Sequence, residues 1–473
     1  MSLGQLSHVG IGKETDVWGT GQAATNYLKF VSESLTLGIE ELIEAAINAR
    51  RDEGTSYEGL GTVAGDTVHE VHPIDLGFIL RSALGQPVST NRTGSYKHVF
   101  TPAAHYLPAA QKGTATAGAA TTITDTGQTW TVDLYIGYWV HIVSGTGSGQ
   151  VRIITDNDAT SLTVATWTTN PDNTSIYEIR PGPDNCILPP YTLEVHRDLS
   201  GVAAHAFQFK GMVANALAFT FGTGEKILGL TTSWLGKDVA ALAPTTASMP
   251  ATDPFRWNQC LIGIGRKETA AMTGATANTL TDTGIGWTVN EHAGRIVRVI
   301  DGTGVDQTRK IVSNTTEILT VTPNFTTTPA GTENYEIYYT PGTLETLNWG
   351  IDNGLVAVPK LNNTKRIAAI MGDAYRMGTV SPTLQVEDIT DFSTYFTGWT
   401  TRKWIIWFLG ANITGNHYYE LEIEIPKVLF TAYPVGVGGP GRITVGATCK
   451  MKYDSTLKYI AKIRLFNNTS TYG

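Results

Sequence analysis

Charge, cysteine and long apolar runs are all scarce in this chain. Only 16% of its 473 residues are charged, and the formal net charge is −8. That balance argues against a nucleic-acid-gripping surface, which needs clustered Lys and Arg to displace counterions. There are 3 cysteines, Cys186, Cys260 and Cys449, far apart and without a CxxC pair. That spacing speaks against a disulfide framework or a zinc site and for buried free thiols. No apolar run approaches the roughly 18 residues of a membrane span. Met1 to Gly10 has no basic-then-apolar leader pattern, so no export is expected.

Glycine is plentiful at 50 residues, with abundant Thr, Val and Ile. This composition favours strands and turns and predicts a mainly β, or α+β, chain. A length of 473 residues suggests several domains.

One motif occurs twice. The first copy reads Ile123-Thr124-Asp125-Thr126-Gly127, Trp130-Thr131-Val132, Gly145-Thr146-Gly147, Leu162-Thr163-Val164 and Tyr177-Glu178-Ile179. The second reads Leu280-Thr281-Asp282-Thr283-Gly284, Trp287-Thr288-Val289, Gly302-Thr303-Gly304, Leu319-Thr320-Val321 and Tyr335-Glu336-Ile337. Trp130 and Trp287 lie 157 positions apart, as do Leu162 and Leu319. Shared order at constant offset marks two copies of one small β unit set into a larger host. Trp130 and Trp287 are the expected anchors of the two unit cores. The expected boundaries are 112–181 and 270–341. The host then falls into 1–111 with 182–255, and 256–269 with 342–473.

The host looks doubled as well. Gly10-Ile11-Gly12 is echoed by Gly263-Ile264-Gly265, Leu35 to Glu40 by Leu347 to Asp352, Gly61-Thr62-Val63 by Gly378-Thr379-Val380, and Tyr191 to Val195 by Tyr419 to Ile423. Strands are expected at Leu35–Glu41, Val63–His72, Tyr191–Val195, Ala206–Lys210 and Ala216–Phe221. Later come Tyr418–Ile425, Lys427–Tyr433 and Arg442–Lys450. A helix opens at Pro73-Ile74-Asp75 and closes at Gly85, with Leu76, Ile79, Leu80 and Ala83 on one face. Its second-half partner is expected at Asp388–Phe396.

No catalytic, cofactor or metal constellation emerges. Gly436 to Gly441 has GxGxxG spacing, but Arg442-Ile443-Thr444-Val445 continues as a strand where a dinucleotide site needs a helix. His69 and His72, three apart on a strand, should face opposite sides. His196 with Asp198 reads as a strand end. Glu422 and Glu424 share one strand face, solvated or at an interface. Trp404 to Leu409 lacks alternation and reads as a strand buried on both faces or at a subunit contact. Ile39 to Gly61 carries Glu40, Glu41, Glu44, Arg50, Arg51, Asp52, Glu53 and Glu58, longer than a usual hairpin connection. It reads either as a solvated tip or as an arm reaching a neighbouring subunit.

Phrases through the first half resemble the tail tube proteins of long-tailed, non-contractile bacteriophages. They are Gly10 to Thr15, Trp18-Gly19-Thr20, Phe30 to Leu35, Arg50 to Gly54, Tyr57-Glu58-Gly59, the helix segment His72–Gly85, Tyr96 to Phe100, Leu193-Glu194-Val195, Gly222 to Ile227 and Leu235 to Asp238. The resemblance implies two tandem β-sandwich, barrel-forming tube domains, each with a flanking helix. It implies a non-enzymatic virion subunit, made in the host bacterial cytoplasm, that self-assembles into stacked rings. Duplication favours trimeric, pseudo-hexameric rings over hexameric ones. The arm residues above would contact the next ring, other tail proteins would cap the tube ends, and genomic DNA would pass through the lumen without specific binding. Like charge in an acidic lumen would keep DNA sliding. The inserted units would decorate the outside, with weak contact to cell-surface glycans as one role. The alternative reading is a secreted or virion-surface adhesin that binds carbohydrate. No cofactor is expected.

Overall fold

The computed structural model describes residues 6–14, 18–44, 52–102, 111–133, 135–136, 138–180, 188–197, 206–224, 227–242, 245–340, 344–359, 364–385, 394, 396–436 and 442–472. The fold is mainly β, in several sheets, none of them closed.

The host strands carry the labels β1 (His8–Lys13), β2 (Thr36–Ile43), β3 (Ser56–Glu70), β4 (Tyr96–Phe100), β5 (Tyr191–His196), β6 (Ala206–Gly222), β7 (Gly229–Gly236) and β8 (Asp238–Leu242). They continue as β9 (Cys260–Ile264), β10 (Leu344–Asp352), β11 (Met377–Gln385), β12 (Thr401–Thr414), β13 (His417–Ala432), β14 (Thr448–Met451) and β15 (Lys462–Asn467).

One pairing order occurs twice. In the first half β1 pairs β5, β5 pairs β6, and β6 holds β8 along its first part and β7 along its second. From β7 the sheet runs on to β3 and β2. In the second half β9 pairs β12, β12 pairs β13, and β13 holds β15 and then β14. From β14 it runs on to β11 and β10. Two strand pairs stitch the halves together: β6 with β10, and β15 with β4.

This order corrects two expectations. The place of Tyr191–Val195 beside the Gly-Ile-Gly strand is taken in the second half by β12, not by the Tyr419 segment. Ala206–Lys210 and Ala216–Phe221 are one strand, β6, as Tyr418–Ile425 and most of Lys427–Tyr433 are one strand, β13. Gly211, at φ 66, marks where β6 leaves one partner and takes the next.

The helix α1 (Asp75–Leu84) is where the sequence puts it, ending at Gly85, whose φ is 97. Every residue of it is buried, so it is a core helix and not an amphipathic flank. Arg81 donates to Tyr191 Oη at 2.9 Å and to Gln86 Oε1 at 2.6 Å. Gly77 leaves room for the Tyr472 ring, which a Cβ there would meet at 2.0 Å. The second expected helix, Asp388–Phe396, lies almost wholly outside the described residues.

His69 and His72 are both buried, not one in and one out, because β3 ends at Glu70 and His72 follows a different backbone course. His69 Nδ1–H donates to the Lys29 carbonyl and Thr67 Oγ1–H donates to Nε2, both at 2.8 Å. Burial lowers the imidazole of each from 6.5 to about 4. Burial also raises Asp75, whose carboxylate accepts Lys29 N–H at 3.0 Å, from 3.8 to about 6.

The two histidines lose stability as pH falls from 6.5 to about 4, because the unfolded chain takes the protons first. Asp75 works the other way, gaining stability as pH falls from about 6 to 3.8. Asp75→Asn keeps an acceptor for Lys29 and removes that opposition. It should steepen the acid loss by roughly 3 kcal/mol, read from denaturant unfolding at a series of pH values.

Residues 111–180 and 266–338 form two seven-stranded sheets with the same strand order. The first begins at Gln111, one residue before the expected boundary. The second begins at Arg266, four before, because Arg266–Ala271 pairs with Asn334–Tyr338. Trp130 packs edge-on to Tyr135 and Tyr177, Trp287 to His292 and Tyr335. The shared sequence builds shared bonds. Tyr177 Oη donates to Asp125 at 2.7 Å, and Tyr335 Oη to Asp282 at 2.6 Å. Asn157 and Asn314 each tie a strand to the loop behind the Trp, through Nδ2 to Thr131 O at 2.9 Å and Thr288 O at 2.8 Å. A buried amide or hydroxyl without such a partner costs about 1–3 kcal/mol, which is why both copies keep these residues.

Candidate assembly surface

Eight host strands make one continuous run: β2, β3, β7, β6, β10, β11, β14 and β13. Alternation buries one face of it: Leu230, Thr232 and Trp234 on β7, Leu217 and Phe219 on β6, Leu347 and Trp349 on β10. The other face is solvent-facing and rich in short hydroxyls. Thr62 on β3, Thr231 and Ser233 on β7, Thr220 on β6, Thr379, Ser381 and Thr383 on β11, and Thr448 on β14 all stand on it. Asp66, Glu70 and Lys450 are charged residues on this face. Asp352 of β10 stands on it too, so it is a polar face on which Asp66, Glu70 and Asp352 outnumber Lys450.

The joint between halves sits at the middle of this run. β6 and β10 pair antiparallel from Ala216–Asp352 to Gly222–Thr346. Phe219 and Trp349 stack across it with ring centroids 3.9 Å apart and 6° between planes. Gly350 lies where a Cβ would come 2.5 Å from the Leu217 carbonyl oxygen. Glycine is required there because the β6 backbone crosses too closely for any side chain.

β2 has the same surroundings as β10, without the partner. Gly350 faces Thr379 and Ile351 faces Gly378; Gly38 faces Thr62 and Ile39 faces Gly61. Yet β2 pairs only β3 among the described residues, and a Cβ on Gly38 would find nothing nearer than 3.8 Å. Ile39, Leu42, Ile43 and Tyr57 are exposed along this margin. An open, apolar-flanked strand edge is a template for pairing with another chain.

Of the eight charged residues picked from sequence, the six that are described divide between this margin and its tip. Glu40 and Glu41 are exposed on β2 and Glu58 on β3, while Glu44, Asp52 and Glu53 are exposed between the strands. Arg50 and Arg51 lie outside the described residues. Much of the expected long connection is thus strand, since β2 and β3 continue pairing out to Ile43 and Ser56.

Glu58 already has partners in its own chain: Lys365 at 2.7 Å and Arg366 at 3.5 Å. These cations hold its carboxyl below the usual range. Arg366 also binds Asp238 at 2.8 Å. Lys365 and Arg366 lie between strands Leu355–Val358 and Ala369–Gly372, a hairpin that packs Leu355, Ile367 and Ile370 on Trp18 and Val213 of the first half. Sequence reading missed this hairpin. It follows β10 as the charged arm follows β2, which was the available signal.

Trp404–Leu409 is buried on both faces, as expected. Trp404, Ile406 and Phe408 enter the host core, while Ile405 and Trp407 meet Ile296 and Tyr338 of the second seven-stranded unit. Glu422 and Glu424 are on an interface within the chain. His196 stands at the end of β5, stacked on His8 at 4.8 Å, and Asp198 lies outside the described residues. The Gly436 loop is described only at its first residue. No group of three or more His, Cys, Asp or Glu able to hold a metal is found among the described residues.

Among the described residues the host strands thus form a long, open β sheet with a margin, β2, that has one partner strand. The chain matches the family described as phage tail tube protein over residues 4–281, more than half its length, and it belongs to that family. It is a structural component of the phage tail. No curated protein matches it.

Proposed function

We propose that three copies of this chain close into a ring, and that rings stack into a tube whose lumen conducts DNA during ejection. The observation that carries this reading is the β6–β10 joint, an internal version of the contact that β2 lacks. In the ring, β2 of one copy pairs with the margin of β13 beyond Leu429, where β12 no longer flanks it, in the next copy. A head-to-tail contact of this kind repeats until it closes and leaves no sheet edge unpaired.

The matching pairing orders support a duplicated tube domain. Its parts are 1–110 with 181–255, and 256–265 with 339–473; residues 111–180 and 266–338 are inserted units on the outside. The β2–β3 arm, with Glu40, Glu41, Glu44, Arg50, Arg51, Asp52 and Glu53, contacts the next ring. The hydroxyl-rich face turns inward. Few cations on it means few released counterions, so DNA slides instead of binding. Other tail proteins cap the ends, in the virion of a long-tailed, non-contractile phage whose subunits are made in the host cytoplasm. An adhesin role through glycan contact by the inserted units is the weaker reading, because Trp130 and Trp287 are buried core residues and offer no sugar platform.

Negative-stain microscopy of the purified chain over a concentration series tests the proposal. The expected result is hollow tubes with three-fold outer bumps. Six equal bumps would break the duplicated trimer, and tubes without a lumen would end the DNA-conduit reading.

A further inference from the structure

The two seven-stranded units share a fold but not a situation. β13 carries Glu420, Glu422 and Glu424 on one face, all buried. What buries them is the second unit. Its strands Ile296–Val299 and Thr308–Asn314 bring Arg298 to Glu422 at 3.2 Å and to Glu424 at 3.4 Å. Arg309 approaches Glu420 at 3.5 Å, and Thr308 Oγ1–H donates to Glu422. Asp306, between those strands, binds Arg464 of β15 at 3.0 Å and Lys97 of β4 at 3.0 Å. Lys403 of β12 bridges Glu336 of the unit at 2.8 Å and Glu424 at 2.9 Å.

This contact therefore joins three parties: the unit, the second-half sheet, and the first-half strand β4. Burial would raise Glu424 and Asp306, but the surrounding cations hold Glu424 well below its usual range and Asp306 at about 2.

The first half shows what the unit replaces. A Cβ on Gly10 would meet Ala24 Cβ at 2.5 Å and Tyr27 at 3.2 Å, because the segment around Asn26–Leu28 covers β1. Gly263 holds the same place in β9, and a Cβ there would meet Tyr338 Cβ at 2.6 Å. The unit's last strand covers the second half as Tyr27 covers the first.

Among the described residues, the first unit does not repeat these charges. At the offset of 157 positions, His141 stands for Arg298, Gly149 for Asp306, Val151 for Thr308 and Trp139 for Ile296. Trp139, His141 and Val151 are only half-buried. Arg152 bonds Thr166 O at 3.2 Å and Thr168 Oγ1 at 3.1 Å within its own unit, as Arg309 bonds Asn324 O and Thr326 Oγ1, each at 3.1 Å; what Arg309 adds is its approach to Glu420.

We propose that the second unit is a built-in structural wedge, seated on the acidic face of β13 and pinning β4 to β15, a role that the first unit does not repeat. This does not depend on the ring reading, since the contact lies within one chain. Isolated loss of one member of a buried charge cluster is strongly destabilising, because the remaining charges stay buried without a partner. Coupling between members is measured by a double-mutant cycle.

In the full chain, Arg298→Met should lower the unfolding midpoint by several degrees and make the joint after Ile264 sensitive to protease. Glu424→Gln should do so in smaller degree, and the double variant should fall short of their sum. His141→Met should change neither reading. If Arg298→Met does not fold, Thr308→Val, which removes a single donor to Glu422, gives the same test at smaller size. The proposal is overturned if Arg298→Met, or Thr308→Val in its place, behaves as His141→Met does, or if the cycle is additive.

Discussion

Gly38→Val yields a chain that unfolds like the parent and forms no tubes. In the monomer the change is benign. The nearest atoms to the new Cβ are on Thr62, at 3.8 Å and beyond, and valine suits a strand better than glycine does. The block appears only when another backbone approaches. At the equivalent Gly350 a Cβ would be 2.5 Å from the Leu217 carbonyl, a distance the sheet cannot hold. Gly350→Ala is therefore the companion experiment. It puts the same clash inside the monomer and should cost about 1–3 kcal/mol or more as β6 and β10 are pushed apart. The pair separates assembly from stability. Calorimetry reads the monomer, and electron microscopy or sedimentation reads the assembly. Tubes of normal yield from Gly38→Val would sink the proposed β2 contact while leaving family membership untouched.

The echo of Leu35–Glu40 in Leu347–Asp352 was readable because Gly38 and Gly350 hold the same place in the same order of residues, and at Gly350 the close backbone excludes any side chain. The echo of Tyr191–Val195 in Tyr419–Ile423 was misleading for the opposite reason. Alternating apolar and polar residues are common to any half-buried strand, so two such strands look alike without sharing a place in a sheet. Only the pairing partner locates them, and β12, beside β9, is where the sequence shows an unbroken apolar run instead. The split of β6 and of β13 had a similar cause. Gly211 and Pro426 read as breaks, yet each sits where a strand changes partners and bends without ending. The two seven-stranded units were legible as a repeat because their landmarks are all local to stretches of about 70 residues. What covers Glu422 was not, since Arg298 and Arg464 approach from more than 40 positions away on either side.

Tyr472 had no sequence signal at all, and replacing it with alanine is expected to cost about 3–5 kcal/mol. Its side chain is buried between elements that are distant in sequence. The ring lies edge-on to Phe78 of α1 at 4.9 Å and to His98 of β4 at 4.8 Å. Its hydroxyl donates to the Ile74 carbonyl at 3.1 Å and accepts from Asn467 Nδ2–H. Asn467, on β15, also donates to the Pro73 carbonyl at 2.9 Å. One aromatic side chain thus ties the first-half helix to the last second-half strand, at the same seam that β4 and β15 close by pairing. Alanine would leave a cavity against Gly77, which has no side chain to fill it. Tyr472→Phe separates the two contributions. It keeps the ring and should lose only about 1–3 kcal/mol, the cost of removing a hydroxyl that donates to the half-buried Ile74 carbonyl and accepts from buried Asn467. Both variants are read by denaturant unfolding of the full chain. A loss for alanine no greater than for phenylalanine would mean that the seam is held by the β4–β15 strand pair and not by this ring.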